Sequence, residues 1–319
     1  MKKLKLYTRS LIPLFAILGL LLPSPLLLAA PSVVASIKPI HSLIAGIMQG
    51  VGEPSLLIRG GQSPHDFSLR PSDMHLLRRA DLVVWVGPDV EASLARLFEK
   101  NPLNGEVLKL TQLQGITWLA PREEAEWEAR HAKQSGAAHR EHSHDGGIDS
   151  HIWLSPNIAR HIVRRISVLL SELDKANAAR YQSNAQQLIE RLNRLDKELA
   201  AVLSPVQKIP YIVFHDAYHY FEQHYDLHAV GSVSVSPERL PGARHIHELR
   251  SKIIRLDARC VFAEPQFQPK LVNTLIKGTS ARAGELDPLG SELEPGPEAY
   301  FQLMRGLAGN LLSCLQSRR

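Results

Sequence analysis

Leu188-Ile189-Glu190-Arg191-Leu192-Asn193-Arg194-Leu195-Asp196-Lys197-Glu198-Leu199 is the middle of a stretch, from about Lys175 to Leu203, that reads as one helix. Tyr181, Ala185, Leu188, Leu192, Leu195, Leu199 and Val202 recur at alternating steps of four and three, which lays one apolar seam along a 3.6-residue turn. Charged residues fill the other faces, and Glu190–Arg194 and Arg194–Glu198 have the spacing to pair across one turn. Ser204-Pro205 stops the pattern. At 1.5 Å per residue such a rod is about 40 Å long, the height of a whole domain. A coiled-coil segment is the rival reading, but the heptads recur nowhere else in the chain. A stiff strut joining two lobes fits the flanking sequence better.

On both sides of the strut, short apolar β-prone runs alternate with helical patterns. Before it come Val33 to Ser36, a helix from Ile40 to Met48, Leu56 to Ile58, a helix capped by Ser72, the run Leu82 to Val86, and a helix from Val90 to Phe98. Ser155 and Pro156 read as the cap and first position of a further helix, from about Asn157 to Leu173. After it come Tyr211 to Phe214, a helix through Tyr218 to His224, Ala229 to Val233, a helix through Ile254, Cys260 to Ala263, Val272 to Ile276, Gly284 to Leu286, and a closing helix from Ala299 to Leu315. Buried runs alternating with helices argue for βαβ units and parallel sheets. The expected class is α/β, with two βα lobes joined by one long rigid helix. The expected boundaries are 31–174, including a histidine-bearing loop at 123–147, then the linking helix 175–203, then 204–319.

Residues 1–30 stand apart. Lys2, Lys3, Lys5 and Arg9 precede an apolar run broken by Pro13, Pro23 and Pro25, the pattern of a secretory signal peptide rather than a spanning helix. Removing those four basic residues lowers the formal net charge from +5 to +1, so a nucleic-acid or polybasic membrane role loses its support. The mature protein is expected to be soluble, exported and monomeric. Its two cysteines, Cys260 and Cys314, are either a bridge or two buried thiols, and an oxidising compartment favours the bridge.

Chemistry has to come from the histidines, of which there are 15. His41, His75, His161, His224, His228, His245 and His247 lie on or beside helical stretches, where core or surface roles are the default. His215 and His219 are one helical turn apart, yet no His-Glu-x-x-His pattern supplies a hydrolytic base. His215 ends a β-prone run, and ligands of parallel sheets gather at the carboxyl ends of strands, so it is preferred to His219. His65 and Asp287 each follow such a run next to a proline, and His151 stands where a polar segment gives way to a capped helix. Three imidazoles and a carboxylate suit a borderline-soft divalent ion. Their sequence separation does not by itself bring them together.

The runs Ser63-Pro64-His65-Asp66-Phe67-Ser68-Leu69-Arg70-Pro71-Ser72-Asp73 and Ala80 to Pro88 resemble the ZnuA-type periplasmic metal-binding components of ATP-driven zinc uptake systems. Asp149-Ser150-His151-Ile152-Trp153-Leu154-Ser155-Pro156, Val213 to Tyr218, Cys260 to Phe267 and Leu286-Asp287-Pro288-Leu289-Gly290 continue the likeness across the whole mature chain. The resemblance implies Zn²⁺ held in the interlobe cleft by His65, His151 and His215, a Cys260–Cys314 disulfide, and delivery to an inner-membrane ABC permease. It implies a binding protein rather than an enzyme; a zinc hydrolase is the rival. Manganese- or iron-binding relatives form the other alternative, but carry a carboxylate where this chain has His215, and nitrogen there favours zinc. Some zinc members have Glu before the first histidine, where this chain has Pro64, so the fourth position falls to Asp287 or water. His131, His139, His142 and His144 of the polar loop read as a weak, exchangeable metal collector, the alternative being a solvated spacer.

Overall fold

The computed structural model describes residues 30–122, 127, 147–234, 241–267 and 270–317. The leader and the segment bearing His131, His139, His142 and His144 lie outside the described residues.

Two sheets share one topology. β1 (Val33–Ala35), β2 (Ser55–Leu56), β3 (Leu82–Trp85) and β4 (Glu106–Lys109) pair in the order β2-β1-β3-β4. β5 (Tyr211–His215), β6 (Ala229–Ser234), β7 (Cys260–Ala263) and β8 (Arg282–Glu285) pair as β6-β5-β7-β8. Every pairing is parallel. Helices α1 (Lys38–Met48), α2 (Pro71–Arg79) and α3 (Ala92–Lys100) alternate with the first set of strands. Then come α4 (Pro156–Leu173) and the strut α5 (Ala178–Leu203). In the second half α6 (His219–Tyr225), α7 (Ala243–Arg255) and α8 (Lys270–Ile276) alternate with strands, and α9 (Ala299–Gln316) closes the chain. β3 and β5 are buried at every position, as helix-covered parallel strands must be.

The strut runs for 26 residues, and Lys175–Asn177 before it is a 3₁₀ turn rather than its first turn. Its buried seam is Tyr181, Ala185, Leu188, Leu192, Leu195, Leu199 and Leu203; Val202 is only half-buried. Each fully buried leucine there contributes about 1.5–3 kcal/mol. α5 lies against α1, α4 and α9. Instead of pairing along α5, Glu198 accepts from Arg305 of α9 at 2.8 Å, and Arg191 reaches Glu298 at 2.6 Å. Those charges fasten the strut to its neighbour.

One further expectation is corrected. α2 starts two residues earlier than a Ser72 cap allows, with Arg70 in the cap position. Pro71 takes the first helical position, where its missing N–H costs nothing, and the Asp73 carboxylate accepts from the Arg70 N–H at 2.8 Å. Strand β4 was not apparent, because only Leu108 of its four residues is buried. Ser155 does cap α4, accepting from the Ile158 N–H at 3.3 Å.

The main apolar core is continuous from β1 and α1 through α4 and α5 to Tyr218, Phe221, Phe262 and Tyr300; a smaller cluster covers the other face of the second sheet. Polar ties cross the same boundary. Lys38 of α1 donates to the carbonyls of Gly290, Ser291 and Leu293 at 2.6, 2.8 and 2.6 Å. The Trp153 indole donates to Pro288 O at 2.7 Å, and the Tyr300 hydroxyl to Trp153 O at 2.8 Å. Cys260 and Cys314 are bridged, fastening β7 to α9 across a separation of 54 residues. Chain entropy credits such a closure with about 4 kcal/mol.

Candidate metal centre

Three histidines arrive at one point by three routes. His215 is the last residue of β5. His65 lies in the loop that runs from β2 to α2, beyond the Gly60-Gly61 turn, where Gly60 adopts φ +69°. His151 precedes the 3₁₀ turn Ile152–Leu154, which leads to the Ser155 cap of α4. One ligand atom from each of His65, His151 and His215 lies within 4.8 Å of the others. The Nε2 atoms of His151 and His215 are 3.3 Å apart. Zn–N bonds of about 2.0–2.1 Å put tetrahedral donors roughly 3.3–3.4 Å apart, so this spacing is that of two ligands on one ion.

The other nitrogen of each ring is engaged. His65 Nδ1 donates to Asp89 O at 3.1 Å, His151 Nδ1 to Asp149 Oδ1 at 2.9 Å, and His215 Nδ1 to Glu264 Oε1 at 2.7 Å. Protons on all three Nδ1 atoms leave the Nε2 lone pairs for a metal, and the two carboxylates make their imidazoles stronger donors. Asp89 is tied in turn, since its carboxylate accepts from the Ser150 hydroxyl at 3.2 Å.

Burial pushes His65 down to about 3, helped by the neighbouring imidazoles, so it is neutral and ready to coordinate at ordinary pH. Burial also works to lower His215, but the Glu264 carboxylate outweighs it and raises the ring above its ordinary value. For Asp149, burial favours the neutral acid, yet hydrogen bonds from His151 and His219 hold it well below the usual carboxylate range. The centre therefore places carboxylates behind the ligands rather than among them.

Asp287 does not join the cluster. Its Oδ1 accepts from the N–H groups of Leu289 and Gly290, both at 3.0 Å, and from Gln266 at 3.2 Å. Its Oδ2 accepts from the N–H and hydroxyl of Ser291 at 2.5 and 2.7 Å. The carboxylate is spent on folding its own loop, the loop that Lys38 grips by its carbonyls. His219 is also outside the group; its Nδ1 is 3.6 Å from Asp149 Oδ2, behind His151. Among the described residues the candidate donors are three nitrogens, leaving room for a fourth, exchangeable position.

Asp149, Glu264 and Asp89 were not singled out from the sequence. The rule that favoured His215 points equally to Glu264, which directly follows β7, the strand beside β5. The site opens into a cavity of about 680 Å³ whose walls include Arg122, Asp89, Ile148 and Asp216.

Comparison with known proteins follows the same lines. A family model described as "Zinc-uptake complex component A periplasmic" matches residues 33–314. The chain is 41% identical over 304 residues to the "High-affinity zinc uptake system protein ZnuA" of Brucella abortus (strain 2308), covering 89% of this chain and 91% of that one. It is 39% identical over 306 residues to the protein of the same name from Yersinia pestis, covering 93% and 95%. A solved structure described as "Crystal structure of ZnuA" superposes with a TM-score of 0.74 at 26% identity, over 90% of this chain and all of that one.

Proposed function

The chain belongs to the family of periplasmic zinc-uptake component A proteins, and from that premise we propose that it captures Zn²⁺ and delivers it to an ABC-type membrane permease. His65, His151 and His215 are the ligands in this reading, with water at the fourth position and residues 1–30 serving as the export leader. The observation that carries it is the convergence of one nitrogen from each of three imidazoles, two of them Nε2 atoms 3.3 Å apart on rings whose Nδ1 is already committed. An all-imidazole set is soft enough to favour zinc over manganese.

The protein acts as a monomeric binding protein rather than a catalyst. Asp149 and Glu264, the carboxylates nearest the ligands, are committed to the Nδ1 atoms of His151 and His215, so neither is offered to an attacking water as a base. The histidine-bearing segment 123–147 serves as a low-affinity collector. Four histidines spread along a polar stretch have more chain entropy to lose before they converge on an ion than three rings already brought together by the fold.

The test is the metal content of the purified mature chain when zinc, manganese and iron are offered together. One tightly held zinc per chain is expected. Manganese or iron in that place, or no tight site at all, would overturn the reading.

A further inference from the structure

Arg122 stands in the wall of the metal cavity, yet its charge is spent sideways. Nε and Nη2 fork onto Asp216, with the Nε bond at 2.9 Å, and Nη1 donates to Glu222 at 2.6 Å. The Arg122 side chain is 2% exposed, and the ring of Trp127 covers the guanidinium, 3.6 Å from its carbon to the ring centroid. Asp216 is the residue after the ligand His215 and lines the same cavity as His65 and His151. It keeps 14% exposure.

A fork of this kind satisfies both oxygens of a carboxylate at once and in one plane. Without it, the Asp216 carboxylate would be the negatively charged oxygen donor next in chain to a zinc ligand, facing a cavity that already holds three imidazoles. Oxygen donors suit harder ions such as Mn²⁺, whereas imidazole suits zinc. Lysine would be a point charge here and could not occupy both oxygens together.

We propose that Arg122 is a specificity-determining residue: by sequestering Asp216 it keeps the donor set all-nitrogen, and so biases the site toward zinc over harder divalent cations. The inference rests on the reading of His65, His151 and His215 as the zinc ligands. Glu222 completes the restraint, since it holds the third guanidinium nitrogen and itself accepts from the Tyr211 hydroxyl at 3.4 Å.

The experiment uses the full mature chain, with Zn²⁺ and Mn²⁺ titrated separately against competing chelators, and Mn²⁺ coordination followed by electron paramagnetic resonance. Arg122→Ala should lower the ratio of zinc to manganese affinity, with manganese binding retained or strengthened as the freed Asp216 oxygen becomes available. Adding Asp216→Asn to Arg122→Ala should abolish the gain in relative manganese affinity, because the freed oxygen anion is gone. Arg122→Lys should move the selectivity in the same direction by less, and supplies the test should the alanine variant fail to fold. Equal weakening of both metals in the Arg122 variants would overturn the proposal and leave Arg122 a purely structural clamp. So would a selectivity change that persists in the double variant. Failure of the unmodified chain to bind zinc would instead strike at the ligand assignment.

Discussion

Glu264 offers the sharpest test of the centre. It is 2% exposed, accepts the His215 Nδ1 proton at 2.7 Å, and also receives the Tyr218 hydroxyl at 3.3 Å. Removing a carboxylate that orients a metal-bound imidazole weakens metal binding about 10–100-fold, or roughly 1.4–2.7 kcal/mol. A hydrogen bond to a charged group is worth about 1.5–3 kcal/mol by an independent route, so the two scales agree. Glu264→Gln keeps the volume and an accepting oxygen but loses the charge, and a neutral bond is about half as strong. The glutamine variant should therefore lose about tenfold in zinc affinity, and Glu264→Ala, which also frees the ring to turn, about a hundredfold. Tyr218 keeps the carbonyl of Leu286 as a second acceptor at 3.2 Å, so the hydroxyl is not stranded in either variant. Competition with a chelator of known affinity gives the loss, and melting without zinc controls for damage to the fold. Wild-type affinity in both variants would refute the argument. So would a loss confined to Glu264→Ala, because packing and not the charged hydrogen bond would then be responsible.

Alanine at His65, His151 or His215 should each cost more zinc affinity than either Glu264 variant, while His219→Ala should cost no more than about tenfold, by equilibrium competition. In the zinc-free protein, His215, raised by Glu264 against the pull of burial, contributes stability that is complete below its unfolded value and lost as pH climbs through the folded one. Glu91, which burial pushes up to about 7, acts in the same direction, whereas Asp149, held low, adds no change in this window. His41 and His65, both held low by burial, oppose this trend up to the ordinary imidazole value near 6.5, so the zinc-free melting temperature should fall only as pH rises above that value, while zinc affinity rises as the proton leaves His215; parallel trends above that value in calorimetry would contradict the assignment. Replacing Cys260 and Cys314 together by serine should lower stability by up to about 4 kcal/mol in denaturant titrations and leave zinc affinity close to wild type. Thiol labelling of the unreduced protein at either position would disagree with the bridge.

What could be read in advance depended on whether the deciding force was local. The α5 seam, the buried runs of β3 and β5, and the Ser155 cap are each specified by residues a few positions apart, and they lie where the pattern put them. Strand β4 escaped notice because edge position leaves it one buried residue, so pairing with β3 and not apolarity defines it. The three histidines could be nominated from strand ends and a cap, but the likeness to a family was needed to bring them together. Asp287 looked equivalent to His65 in sequence, since each follows a β-prone run beside a proline. It differs in three dimensions because the N–H groups of residues 289–291 converge on it, a property of loop shape that residue type does not announce. Asp149 and Glu264 were hidden for another reason: a carboxylate that supports a ligand leaves no spacing signal of its own.

The three imidazoles of the cluster are not held alike. His151 and His215 lean on buried carboxylates, and His215 belongs to a strand, whereas the Nδ1 partner of His65 is a neutral carbonyl and its loop turns at Gly60-Gly61 with exposed neighbours. On one side of the cleft Lys38 grips the loop at residues 290–293, on another Arg122 joins Asp216 and Glu222, and the apolar core runs uninterrupted between the halves. The halves cannot swing apart without breaking all of these at once. On these restraints release is expected to begin at His65, the ring whose Nδ1 is held only by a neutral carbonyl. A force that pulls on that loop is then expected to shorten the lifetime of a captured ion more than one applied to the strand carrying His215.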